Sequence, residues 1–264
     1  METTTRLRPI RPEPRRRLRT AAVVACVVLG LGLVGGAAAG TWLTGDPAPA
    51  RTGDAYATGR TLWHQVPVDT LFPRTLTGDG AGPGNSDRVW SRLGVAADTG
   101  CADALDPLLV RALDSVGCAR LVRATYADAT RSAVTTVGMV FTEADAAGMK
   151  AWAARFAEQK LGERQDLMPR PFAVPGTAAA SFQDEQRASW TVHVLTETPV
   201  VVFAVTGFAD GRAVPDPQAA ARAMEAGATG PAAQAGLGHE AEGVADRIER
   251  ALRRTVADLV EKAE

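Results

Sequence analysis

Residues 119–142 read ARLVRATYADATRSAVTTVGMVFT. Two runs rich in Val, Thr and aromatic residues flank Asp128, Ala129 and Thr130, which marks a β-hairpin with strands over 119–127 and 131–142. A strand repeats every two residues, so Thr135, Val137, Met139 and Phe141 share one face, and Val134, Thr136, Gly138 and Val140 the other. The first set is the expected core face.

Working outward, residues 88–96 (RVWSRLGVA) predict a strand before the hairpin. Thr142-Glu143-Ala144-Asp145 follows it in a capping-box pattern, and Met149, Trp152, Ala153 and Phe156 recur at helical spacing. Further strands are expected near 177–184, over 187–196 (RASWTVHVLT) and over 200–208 (VVVFAVTGF). Val201, Phe203 and Val205 alternate with Val200, Val202 and Ala204. A strand apolar on both sides belongs in the middle of a sheet. Residues 209–238 are rich in Ala, Gly and Pro and are expected to be a flexible excursion. The chain then predicts an amphipathic helix over 239–263, with Val244, Ala245, Ile248, Leu252, Val256, Leu259 and Val260 on one face. These elements define an α+β domain over 61–264, with a mainly antiparallel sheet and helices packed on one face.

The part before residue 61 has a different character. Residues 1–20 hold seven arginines against two acids, a formal +5, and leave 22 basic and 28 acidic residues, −6, for the rest. Residues 21–43, AAVVACVVLGLGLVGGAAAGTWL, carry no charge over 23 positions. At about 1.5 Å per residue, such a helix spans a hydrocarbon core of roughly 30 Å. An Arg-rich flank stays in the cytoplasm by the positive-inside rule. The expected arrangement is therefore a cytoplasmic tail (1–20), one transmembrane helix (21–43) in the lipid bilayer, a flexible linker (44–60) and an extracytoplasmic domain in the cell envelope. A cleavable signal peptide shares the basic start, and GGAAAGT supplies small residues for a peptidase, so cleavage stands as the alternative. A lipoprotein at Cys26 is disfavoured because a long apolar run follows it, and Arg16-Arg17-Leu18-Arg19 is a poor twin-arginine match. Gly32, Gly36 and Gly40 repeat every four residues, a spacing that offers a homodimer contact between membrane helices.

Residues 101–118, CADALDPLLVRALDSVGC, contain two of the three cysteines. Oxidised pairs are the default outside the cytoplasm. A helix filling the whole interval would hold the two about 20 Å apart, too far for a disulfide. Asp106-Pro107 reads as an N-cap and first helical residue, and Gly117 as a terminator, so the helix is expected over about 107–115. Residues 101–105 can then return beside it and bring Cys101 to Cys118.

Function is much less marked. A mildly acidic domain lacks the clustered Lys and Arg that nucleic acid would need. His64, His193 and His239 are scattered, without HExxH or CxxC spacing, so no metal or other cofactor is expected. The glycines of TGDGAGPGNSD (77–87) lack the lysine and strand–helix context of a phosphate loop, and read as a connector. No GxSxG or papain-like context marks a nucleophile. Adjacent acids such as Asp184 and Glu185 read as a solvated turn.

The segments GAGPGNSDRVWSRLGVAADTGC (80–101), LVRATYADATRSAVTTVGMVFTEADAAGM (121–149), DLMPRPF (166–172) and ASWTVHVLTETPVVVFAVTGFADGR (188–212) together resemble uncharacterised single-pass membrane proteins of actinobacteria. That resemblance implies location, and carries over no catalytic or binding residues. The expectation is a non-catalytic domain that binds or scaffolds in the envelope, with an envelope protein as one class of partner. An envelope enzyme assembled from scattered residues, or an accessory subunit of a secretion or signalling complex, are the alternatives. A cleft with convergent polar side chains would favour the enzyme, an exposed apolar patch the binding domain.

Overall fold

A computed structural model describes residues 52–97, 100–101 and 104–263. The hairpin forms as its alternation requires. Strand β3 (Arg120–Asp128) pairs antiparallel with β4 (Ala133–Phe141), with Thr125 opposite Thr136 and Leu121 opposite Val140. Asp128 closes the turn, its carboxylate accepting from the backbone N–H of Thr130 and of Ala133.

On one side of the hairpin lie β2 (Arg88–Val95) and β1 (Thr75–Gly78); on the other lie β6 (Val200–Phe208), β5 (Ser189–Val194) and the two-residue β7 (Gln218–Ala219). The order is β1-β2-β3-β4-β6-β5-β7, a seven-stranded sheet in which only the β5–β7 pair is parallel. The domain is thus α+β with a mainly antiparallel sheet, and β6 is central, as its two-sided apolar sequence requires.

Helices cover both faces, and not only the one that the sequence pattern predicts. Helix α7 (Leu237–Ala263) lies across one face, packing Val244, Ile248, Leu252 and Val256 on Tyr126, Val137, Met139, Val202 and Ala204. On the opposite face, α3 (Pro107–Leu113) and α4 (Ala146–Glu158) bring Leu109, Leu113, Met149, Trp152 and Phe156 against Leu121, Val140, Val201 and Phe203. All nine residues of β4 are buried, so neither of its two faces is the solvent side. Gly138 is required there: a Cβ at that position would come 2.3 Å from the Phe203 ring.

Four other expectations change. The 44–60 segment, expected as linker, contains the start of helix α1 (Thr52–Gln65). Tyr56 and Leu62 of α1 are buried, the Tyr56 hydroxyl donates to Thr196 O at 2.8 Å, and Gly59 lets the helix approach Thr198 and Pro199 closely. Thr142 is not the cap of α4. Its hydroxyl bonds Pro199 O instead, and Asp145 caps by accepting from Gly148 N at 2.8 Å.

Residues 177–184 form turns and not a strand, because the Thr177 hydroxyl accepts from Ala179 N while Ala179 and Phe182 plug under Ala127 and Val134. The 209–238 segment is built into the domain: it contributes β7 and the short helices α5 (Ala220–Ala223) and α6 (Pro231–Gln234), and buries Val214, Ala220, Ala223 and Ala232. Its apolar residues are mostly alanines, which pack tightly without producing a hydropathy signal. Short α2 (Val68–Leu71) links α1 to β1.

Candidate functional site

Helix α3 begins as its sequence dictates, with the Asp106 carboxylate accepting from Leu108 N at 2.9 Å and Pro107 at the first turn. Gly117 takes the left-handed conformation, φ +67°, which turns the chain back after the helix. Cys101 and Cys118 consequently meet as a disulfide pair with Cα atoms 6.3 Å apart, within the range such bridges require. Residues 1–43, with Gly32, Gly36 and Gly40, lie outside the described residues. Among the described residues no helix is long and apolar enough to cross a membrane.

The densest cluster of titratable groups was not read from the sequence. His193 of β5 faces α7, where Glu249 Oε2 lies 2.6 Å from Nδ1 and Glu242 Oε1 3.2 Å from Nε2; the Thr191 hydroxyl is 3.1 Å from Nε2. Burial alone would lower the His193 pKa, but the two carboxylates outweigh it and push it up to about 10. Burial would raise Glu242, yet contact with His193 holds it below the ordinary value. The imidazolium therefore stays charged at neutral pH, its two ring nitrogens committed to β5–α7 contacts. A general base needs a neutral imidazole, so this arrangement is suited to clamping a helix on a sheet.

A second buried acid, Glu240, accepts from the Trp90 indole N–H and pairs with Arg88 Nε at 2.9 Å. Burial raises its pKa, with Trp90 and Arg88 opposing. These contacts tie α7 to β2 and leave Glu240 paired within the fold. His64 stands edge-on to Trp63, and His239 is half-buried on α7. No group of three His, Cys, Asp or Glu side chains suited to a metal ion occurs among the described residues.

A further feature is a cleft of about 450 Å³ on the α3–α4 face, lined among others by Arg123, Arg170, Pro171, Phe182, Asp184 and Glu185. Sequence alternation placed Arg123 on a strand without showing what lay over it. The cover is the 166–187 loop, held by a ring of three hydrogen bonds: Thr136 shares its hydroxyl with that of Thr125, Thr125 bonds Phe172 O, and Phe172 N–H donates back to the Thr136 oxygen. Arg187 pins the loop further by donating to Met168 O, Pro169 O and Asp184 O.

At the cleft floor, Arg123 lies over the Phe172 ring and donates to Ala104 O at 3.2 Å. Burial lowers its pKa, and no carboxylate among the described residues pairs with it. Polar side chains do converge here, the feature that would favour an enzyme. They are two arginines, which do not exchange protons near neutral pH, and the exposed turn acids Asp184 and Glu185. Such groups bind charge; they do not form a nucleophile and base pair. Comparison with protein-family models, with curated proteins and with solved structures finds no match.

Proposed function

We propose that the chain is a membrane-anchored extracytoplasmic domain that binds or scaffolds in the cell envelope without catalysing a reaction. The observation that carries this reading is the Cys101–Cys118 pair at bonding distance, since stable disulfides belong to oxidising compartments. The +5 tail and the uncharged run over 21–43 supply the anchor and the orientation. The His193 and Glu240 clusters, both spent on holding α7, support a non-catalytic role. The resemblance to single-pass actinobacterial membrane proteins agrees with the location. An envelope protein bound by the domain, and a homodimer through Gly32, Gly36 and Gly40, are parts of the same proposal.

Sidedness tests it. In intact spheroplasts, added protease should digest the domain after residue 45 and leave a short protected fragment holding the Arg-rich tail. Full protection until the membrane is broken would place the domain in the cytoplasm and end the proposal.

A further inference from the structure

We propose that the cleft over Arg123 is a binding site for a small hydrophilic oxyanion, a carboxylate or phosphate carried by a low-molecular-weight ligand. This deepens the reading of the domain as a binding module and rests on it for the role, while its geometry stands independently of the membrane side. The argument begins with unmet charge. A guanidinium offers five N–H donors, and a cation withdrawn from water is costly unless an opposite charge or several hydrogen bonds meet it. Arg123 is largely desolvated on the sheet face, yet among the described residues it has one carbonyl partner, Ala104 O, and one ring contact, Phe172.

A second guanidinium lines the same space. Arg170 Nε is shielded from water and has no hydrogen-bond partner; it makes an ion pair with Asp184 at 3.7 Å, too long for a hydrogen bond, which leaves its N–H donors open to an acceptor. Two incompletely used guanidinium groups lining one cleft favour an oxyanion, which accepts paired N–H donors.

Size and rigidity set the ligand class. A volume of about 450 Å³ falls in the range of small-molecule sites, and the wall is mainly polar. The Thr125–Thr136–Phe172 ring and the Arg187 bonds hold the loop in place before any ligand arrives. Little ordering is therefore charged against binding. Asp184 and Glu185, exposed acids in the same lining, disfavour a polyanion, which leaves a compact ligand with one or two negative groups.

The test is calorimetric titration of the full-length chain in detergent micelles with sodium malonate and, separately, inorganic phosphate, against sodium chloride of matched ionic strength. Saturable binding of either probe is expected, and which one binds decides between carboxylate and phosphate. Arg123→Gln should weaken that binding at least about tenfold and Arg170→Gln about threefold or more, whereas Arg254→Gln, exposed on α7 and outside the cleft, should leave it unchanged. Absence of saturable binding for both probes overturns the proposal, as does unchanged affinity in a folded Arg123→Gln protein. Should Arg123→Gln fail to fold, unchanged affinity in Arg170→Gln has the same force. A cytoplasmic location of the domain would defeat the envelope reading and leave this titration intact, so the two failures are distinct.

Discussion

His193 shows how one residue couples pH to the packing of a whole helix. Its folded pKa of about 10 lies above the ordinary value of 6.5, so the folded state holds the proton more tightly than the unfolded chain. The linked stabilisation is complete below about pH 6.5 and disappears as pH rises through about 10. Replacing His193 with Gln removes it and leaves Glu242 and Glu249 without their shared cation. We expect the variant to be less stable by on the order of 2–4 kcal/mol at pH 6, with the gap to wild type closing toward pH 10. Urea denaturation across that range checks it; a gap independent of pH would show that the imidazole is not charged in the fold. His193 is out of phase with Trp190, Val192 and Val194 along β5, hence on a different face from them. Its partners are 49 and 56 residues further on, and no local pattern announces a contact that only the docking of α7 creates. Arg123 was hidden in the same way: the period put it on a strand, but the loop that makes a cleft above it has no periodicity.

At the scale of elements, alternation and capping located β2, β3, β4, β5, β6, α3 and α7 closely, because each buries a face with a regular spacing. Errors fell where burial is carried by small residues or set by distant partners. Strand β1 is four residues containing a glycine, too short to show a period. Helix α1 begins in TGDAYATGR, whose composition reads as linker, while its anchoring depends on Thr196 and Thr198 far along the chain. Gly59 provides a sharp test. In an isolated helix, Gly→Ala stabilises by about 1 kcal/mol. Here the added Cβ would lie 2.9 Å from Pro199 Cδ and closer still to the Thr198 hydroxyl. Gly59→Ala should therefore lower stability, by about 1–3 kcal/mol net, measured as a reduced denaturation midpoint. A raised midpoint would mean that α1 does not pack against the β5–β6 turn.

For the molecule as a whole, the two faces of the sheet have different duties. The α7 face is sealed by apolar packing and by the Trp90–Glu240 and His193–Glu242–Glu249 contacts, so its polar groups serve the fold. The opposite face holds the disulfide, α3, α4 and the Arg123 cleft, and it is the face on which we place ligand recognition. The bridge spans a sequence separation of 17, worth about 3 kcal/mol by loop-closure entropy, and it anchors the segment whose Ala104 carbonyl meets Arg123. The proposed cell side, the fold and the cleft therefore converge on these two cysteines, and their oxidation state in the native membrane is the most direct measurement. Membranes should be quenched with one alkylating reagent, reduced, treated with a second, and the peptides bearing Cys101 and Cys118 analysed by mass spectrometry. The account predicts that both carry only the second label; the first label on both would mean free thiols, and would contradict a domain folded on the oxidising side of the membrane.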